Sequence, residues 1–187
     1  PGTGSLASEQ NYTFNGKPNN GDIDLNITAG YDYLVGNPYP SAIDANEFIY
    51  DNAPVIDQES GATDGSLYFW EHWGGGSHVL SEYQGGYAIY NLSGGIAAPA
   101  PDPDVAQIGV GTKTPGRYIP VSQGFFVFGE STGTIKFRND QRIFRKENAS
   151  SVFMEANEGD DLTLNDNTTY NSETTNNGEE EDVLKVY

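Results

Sequence analysis

One stretch of the chain decides the fold: LYFWEHW, residues 67 to 73, which is followed by three glycines. In an extended strand, successive side chains point to opposite faces. Two sets therefore alternate here: Leu67, Phe69, Glu71 and Trp73 on one face, and Tyr68, Trp70 and His72 on the other. Burying one large aromatic side chain contributes at most roughly 4–6 kcal/mol, against ~5–15 kcal/mol for the stability of a whole domain. We therefore expect at least Phe69 and Trp70 to lie in a β-sheet core.

The rest of the chain has the composition of an all-β domain. Its 187 residues include 23 glycines and 12 tyrosines but no cysteine, so disulfides cannot contribute to its stability. Short apolar runs such as IDLNI (23–27) and SQGFFVFG (122–129) alternate with turn-forming Gly, Pro, Asn and Asp. This pattern predicts one antiparallel, jelly-roll-like β-sandwich over residues 11–187, with long Gly/Pro- and Asn/Asp-rich loops. Residues 1–10 read as a linker or arm.

The C-terminal part of the chain differs in composition. Residues 155–182 are acidic and rich in Asn and Thr, which predicts either a long loop or disorder. The chain then stops on the strand-like DVLKVY. We expect residues 183–187 to be a truncated last strand and the chain to be a piece of a longer protein.

The charge of the chain excludes several classes of partner. Its 27 acidic and 9 basic residues give a formal net charge of −18. Binding to a phosphate backbone requires a basic surface, so no nucleic acid is expected as partner. No apolar run approaches the ~20 residues of a membrane span, so membrane insertion is not expected either. Such acidity is typical of a soluble extracellular protein.

Aromatic residues and histidines around the triple glycine are the candidates for ligand binding. Trp73 precedes the flexible glycines, and we expect it to be partly exposed and able to stack on a sugar ring. The predicted ligand-binding residues are Trp73, Trp70, Tyr83 and His78. Two histidines on either side of a glycine hinge are too few for a zinc site. The chain lacks a G-x-S-x-G motif and a distinctive carboxylate pair, so no catalytic residue is predicted and no enzyme is expected.

Calcium is the one ion that the sequence suggests, and no other cofactor is expected. Several turns gather hard carboxylate oxygens, of which calcium needs 6–8. The candidate ligands are Asp22, Asp24, Asp102, Asp104, Asp160, Asp161 and Asp166. None follows EF-hand spacing, so solvated acidic loops are the alternative interpretation. A melting temperature that does not change with calcium or chelator would count against the site.

Six ordered motifs carry a resemblance to a known group of domains. They are YTFNGKPNNGDI, YLVGNPYPSAIDANEFI, LYFWEHW, GGYAIYNLSGG, IPVSQGFFVFG and IKFRNDQRIF. With them the chain resembles a β-rich domain of large secreted and cell-surface Bacteroidota proteins, found just upstream of the type IX secretion sorting domain. The resemblance implies a secreted or cell-surface location, with the type IX translocon and sorting machinery as partners of the parent chain.

Three functions are compatible with these observations. The first is a non-catalytic structural or adhesive module of an exported protein, as the resemblance implies. The second is a carbohydrate-binding module for polysaccharide capture, with Trp73, Trp70 and Tyr83 stacking on sugars. The third is a fragment of a glycan-active enzyme. The partners expected from these three hypotheses are glycans or other surface proteins.

Overall fold

A computed structural model of the chain describes residues 15–55, 60–74 and 79–145. Contacts divide the chain into Pro1–Asn157 and Glu158–Tyr187, and every described residue lies in the first unit. The predicted arm at 1–10, the acidic segment at 155–182 and the last strand at 183–187 lie outside the described residues.

Short strands are the main regular secondary structure of the described chain. They are β1 (Ile23–Ile27), β2 (Asp32–Gly36), β3 (Ala42–Asp44), β4 (Leu67–Gly74), β5 (Gln84–Asn91), β6 (Gly94–Ile96), β7 (Tyr118–Ile119), β8 (Gly124–Phe128), β9 (Gly133–Phe137) and β10 (Arg142–Ile143). One α-helix, α1 (Ala45–Asn52), follows β3, and 3₁₀ turns cover Leu80–Glu82 and Asn139–Gln141.

The strands form three antiparallel sheets. The largest has the order β2-β8-β4-β5-β6, and the others are the pair β1-β9 and the three-stranded sheet β10-β3-β7. All pairings between these strands are antiparallel. The prediction of an all-β, antiparallel, sandwich-like fold is therefore confirmed.

The core lies against one face of the five-stranded sheet. Phe125 of β8 contacts Phe48 of α1 edge-on at a ring-centroid distance of 5.5 Å and Phe69 of β4 at 5.8 Å. Phe48 also packs on Phe137 of β9, with the ring centroids 5.1 Å apart. Since these rings come from the helix and from two different sheets, their burial fixes which face of the five-stranded sheet points inward.

The helix begins after a capping residue, Asp44. The carboxylate of Asp44 accepts a hydrogen bond from the backbone N–H of Asn46 at 3.0 Å, which satisfies one of the free donors of the first turn. Arg117 donates to both oxygens of the same carboxylate. The helix stops before Ala53 because this residue, which precedes Pro54, is extended. Its eight residues make about two turns.

The corner GNPYP (36–40) connects the five-stranded sheet to β3. Tyr39 is 2% exposed, and its hydroxyl donates to the carbonyl of Gly21 at 2.7 Å. The side chain of Asn37 donates to carbonyls on both sides of the corner, those of Ser41 at 2.8 Å and Pro120 at 3.0 Å. This corner therefore holds the chain in a fixed path from β2 to β3, with Tyr39 filling the space beneath it.

Candidate functional site

The face of the five-stranded sheet that points away from the core is apolar and aromatic. The pairing register joins Leu34 to Phe126, Phe126 to Tyr68, Tyr68 to Ile89 and Ile89 to Ile96. One row of large side chains thus crosses all five strands. Such outer faces are usually polar, and contiguous exposed apolar surface often marks an interaction site. We call this row, together with Trp70 and Tyr87 beside it, the aromatic face.

The rings of the aromatic face contact one another across the strands. Trp70 and Tyr87 are a register pair, and their ring centroids lie 5.1 Å apart. Tyr87 also meets Phe126 edge-on at 5.6 Å. These rings are half-buried, whereas Leu34 and Ile96 at the two ends are 67% and 61% exposed. The result is a continuous, solvent-accessible surface of ring edges and faces.

Gly85 determines how Trp70 lies on the sheet. The indole of Trp70 covers Gly85, and a Cβ atom there would meet the indole and the carbonyl oxygen of Glu71, the latter at 2.7 Å. A side chain at position 85 would therefore displace Trp70. With glycine there, the indole can lie along the sheet.

Polar groups surround the aromatic face. The hydroxyl of Tyr68 donates to the carboxylate of Asp64 at 2.7 Å, and the His72 ring meets Tyr83 edge-on at 5.5 Å. Burial raises the pKa of the Tyr68 hydroxyl, and its hydrogen bond to Asp64 raises it further. Burial likewise raises the pKa of the Tyr87 hydroxyl.

The predicted ligand-binding residues do not form one site. Trp70 lies on the aromatic face, and Tyr83 lies beside it through its contact with His72. Trp73 is on the opposite side of the sheet, where its indole nitrogen donates to the carbonyl of Ile108 at 2.9 Å. His78 lies outside the described residues. The expectation that Trp70 belongs to the core is wrong, since Trp70 is half-buried on the outer face while Phe69 is 3% exposed.

Trp73 and Glu71 hold a long connection against the sheet. This connection, the 97–117 loop, runs from β6 to β7. Glu71 is 3% exposed, and its carboxylate accepts from the backbone N–H groups of Thr112 and Lys113 at 3.0–3.2 Å and from the Thr112 hydroxyl at 3.1 Å. At the sheet edge, the N–H of Ala106 donates to the carbonyl of Tyr83 at 2.8 Å. Glu71 and Trp73 therefore position the loop.

The predicted calcium ligands are dispersed in the described part of the chain. Asp24 and Asp22 pair with Arg138, and Asp22 lines a surface depression together with Arg138, Asn139 and Asp140. Asp102 accepts from the backbone N–H of Asp104 at 2.9 Å. No group of three or more His, Asp or Glu side chains suited to a metal ion occurs among residues 15–55, 60–74 and 79–145. Asp160, Asp161 and Asp166 lie outside these ranges, and the calcium site stays a prediction.

Sequence reasoning missed most of the aromatic face. Tyr68, Tyr87 and Phe126 were not among the predicted ligand-binding residues, although each occupies an outward position of an alternating strand. The alternation in GGYAIYN (85–91) and GFFVF (124–128) was the available signal. It could not show that these strands flank β4, since strand order depends on pairing between distant segments.

The fold and this surface define a class of protein: an antiparallel all-β domain with an aromatic outer sheet face. Residues 3–183 match the model of a family described as "Domain of unknown function (DUF8693)", and the chain belongs to this family. No curated protein and no solved structure matches the chain. Within the described ranges, no helix is long and apolar enough to cross a membrane.

Proposed function

We propose that the chain is a non-catalytic adhesive module that binds polysaccharide on the aromatic face. The observation that supports this proposal is the row of large side chains crossing all five strands, with Trp70 and Tyr87 in contact beside it. A pyranose ring has apolar C–H surfaces that pack on aromatic rings and hydroxyls that need polar partners. Half-buried rings with carboxylates and tyrosine hydroxyls close by meet both needs.

The binding surface belongs to a rigid part of the molecule. The strands that carry the rings also carry the core residues Phe69, Val127 and Phe125 on their other face. The rings are therefore positioned before a ligand arrives, which lowers the entropic cost of binding. A flat, preformed surface of this length suits an extended polymer better than a small molecule, which requires a concave pocket.

Replacing Trp70 tests the proposed surface. We expect Trp70→Ala to weaken binding at least ~30-fold, because removal of a central aromatic contact typically costs about 2 kcal/mol or more. Affinity electrophoresis and pull-down on cellulose, xylan, mannan and chitin measure this effect. Tyr50→Ala is the matched control, since Tyr50 is 46% exposed on α1, which packs on the core side of the sheet and not on the aromatic face. Equal retention of both variants, or failure of the wild type to bind any of these polysaccharides, would contradict the proposal.

We also propose that the parent protein is exported to the cell surface through the type IX secretion system. The support for this is the motif resemblance, together with an acidic chain that lacks cysteine. Antibodies against this domain are expected to label intact cells of the source organism, and deletion of the type IX translocon is expected to abolish the labelling. Labelling only after cell lysis would contradict export.

A further inference from the structure

The five-stranded sheet carries no fixed positive charge. Its strand sequences DYLVG, LYFWEHWG, QGGYAIYN, GGI and GFFVF contain neither lysine nor arginine. The described arginines form contacts elsewhere: Arg117 pairs with Asp44, and Arg138 pairs with Asp24. Arg142 donates to Asn20 and to Asn139, and Arg145 lies over the ring of Tyr118. The described strands of this sheet therefore place no lysine or arginine on the aromatic face, and the basic side chain that they contribute is His72, whose ring meets Tyr83.

Carboxylates stand around the same face. Asp32 pairs with Phe128 in the register, two residues from the pair Leu34 and Phe126. Along β5, toward the other edge of the sheet, the N–H of Asp102 donates to the carbonyl of Gly85 at 2.9 Å, two residues before Tyr87. The carboxylate of Asp64 accepts a hydrogen bond from the Tyr68 hydroxyl. Carboxylates thus stand on more than one side of the aromatic rings.

The electrostatic effect of these carboxylates reaches the centre of the face. Burial is the largest cause of the raised pKa of Tyr87, and the negative charges of Asp102 and Asp32 raise this pKa further. Aromatic rings also attract cations through their quadrupole, most strongly for tryptophan. The rings and the carboxylates therefore favour the same sign of charge in a ligand.

We propose that the aromatic face selects polysaccharides that carry protonated amino groups, such as polymers of glucosamine. This inference rests on the proposed function and adds the chemical class of the ligand. Sugar rings pack on Trp70 and Tyr87, while the ammonium groups pair with Asp32 and Asp102. The net charge of −18 repels polyanionic glycans as a second level of selection.

Oligosaccharides of equal length that differ only at C2 provide the test. Calorimetric titrations with oligomers of glucosamine, of N-acetylglucosamine and of glucose are carried out at mildly acidic pH, where the amine is protonated and aspartate is ionised. We expect the glucosamine oligomer to bind about tenfold or more tightly than the two neutral oligomers. The preference is expected to disappear in the double variant Asp32→Asn and Asp102→Asn. The preference for glucosamine is expected to persist in the control double variant Glu47→Gln and Asp140→Asn, which removes two negative charges at positions away from the aromatic face.

The outcomes separate this inference from the proposed function. Equal affinity for the three oligomers, lost in Trp70→Ala, overturns the charge selection and leaves polysaccharide binding in place. If the protein binds none of the three oligomers, the charge selection is overturned. If it also fails to bind cellulose, xylan, mannan and chitin, the proposed polysaccharide-binding function is overturned as well. A preference that survives the double variant reflects general attraction to an acidic protein and overturns the inference. Poly-lysine binding as tightly as the glucosamine oligomer, with the same dependence on Trp70, also overturns it in favour of a basic polypeptide.

Discussion

Glu71→Ala is expected to lower the free energy of unfolding by about 3–5 kcal/mol, because it removes a buried charged acceptor and leaves two backbone donors without a partner. The carboxylate of Glu71 is the shared acceptor for the N–H groups of Thr112 and Lys113. Without it, the part of the 97–117 loop at Thr112 and Lys113 loses its attachment to β4. Urea denaturation followed by circular dichroism measures the change.

Two further variants show whether the effect comes from this interaction. Glu71→Gln keeps an acceptor oxygen in place and is expected to cost about 1–2 kcal/mol. Glu47→Ala removes an exposed acid from α1 and is expected to change stability by less than about 0.5 kcal/mol. Hydrogen exchange at Thr112 and Lys113 should accelerate in Glu71→Ala. Unchanged exchange there, or equal stability of the Glu71→Ala and Glu47→Ala variants, would show that Glu71 does not hold the loop.

Phe125→Ala and Phe126→Ala are expected to have opposite consequences, although the two residues are neighbours in β8. Phe125 is 1% exposed between Phe48 and Phe69, so its removal is expected to cost about 3–5 kcal/mol. Phe126 is half-buried on the aromatic face, so its removal is expected to cost about 1 kcal/mol but to weaken polysaccharide binding. Denaturation curves and affinity electrophoresis of both variants check this.

This pair of variants tests the assignment of the two sheet faces. If Phe126→Ala destabilised the domain as much as Phe125→Ala, both faces would be buried and the aromatic face would be part of a core. If neither variant weakened binding, the surface would lie elsewhere. Only a large stability loss in Phe125→Ala combined with a binding loss in Phe126→Ala agrees with the proposed arrangement.

The sequence predicted the alternation of β4 but not which of its faces is buried. Phe69 and Trp70 were both assigned to the core because of their size. The inward face of β4 is determined instead by what packs against it, namely Phe125, and Phe125 lies more than fifty residues away in the chain. Period-two alternation separates the two faces of a strand, while the choice between them depends on long-range pairing.

The shortest strands and the contacts of the 97–117 loop could not be predicted from the sequence either. The three-residue strands β3 and β6 are too short for an alternating pattern, and GGI in β6 has weak strand propensity. The Gly- and Pro-rich residues between β6 and β7 form a long irregular connection. Its attachment through Glu71 joins residues about forty positions apart, and no local motif indicates such a hydrogen bond.

Tryptophan fluorescence tests the central claim most directly, because the chain has only two tryptophans and they lie on opposite sides of one sheet. In Trp73→Phe, the remaining indole is that of Trp70. We predict that titration with the best-binding oligosaccharide shifts the emission of Trp70 and reduces its quenching by acrylamide. Both changes should saturate as the site fills. Binding on the aromatic face would be contradicted if calorimetry showed saturable binding to Trp73→Phe while the emission of Trp70 stayed unchanged. The same conclusion would follow if the emission change appeared in Trp70→Phe, where Trp73 is the remaining indole.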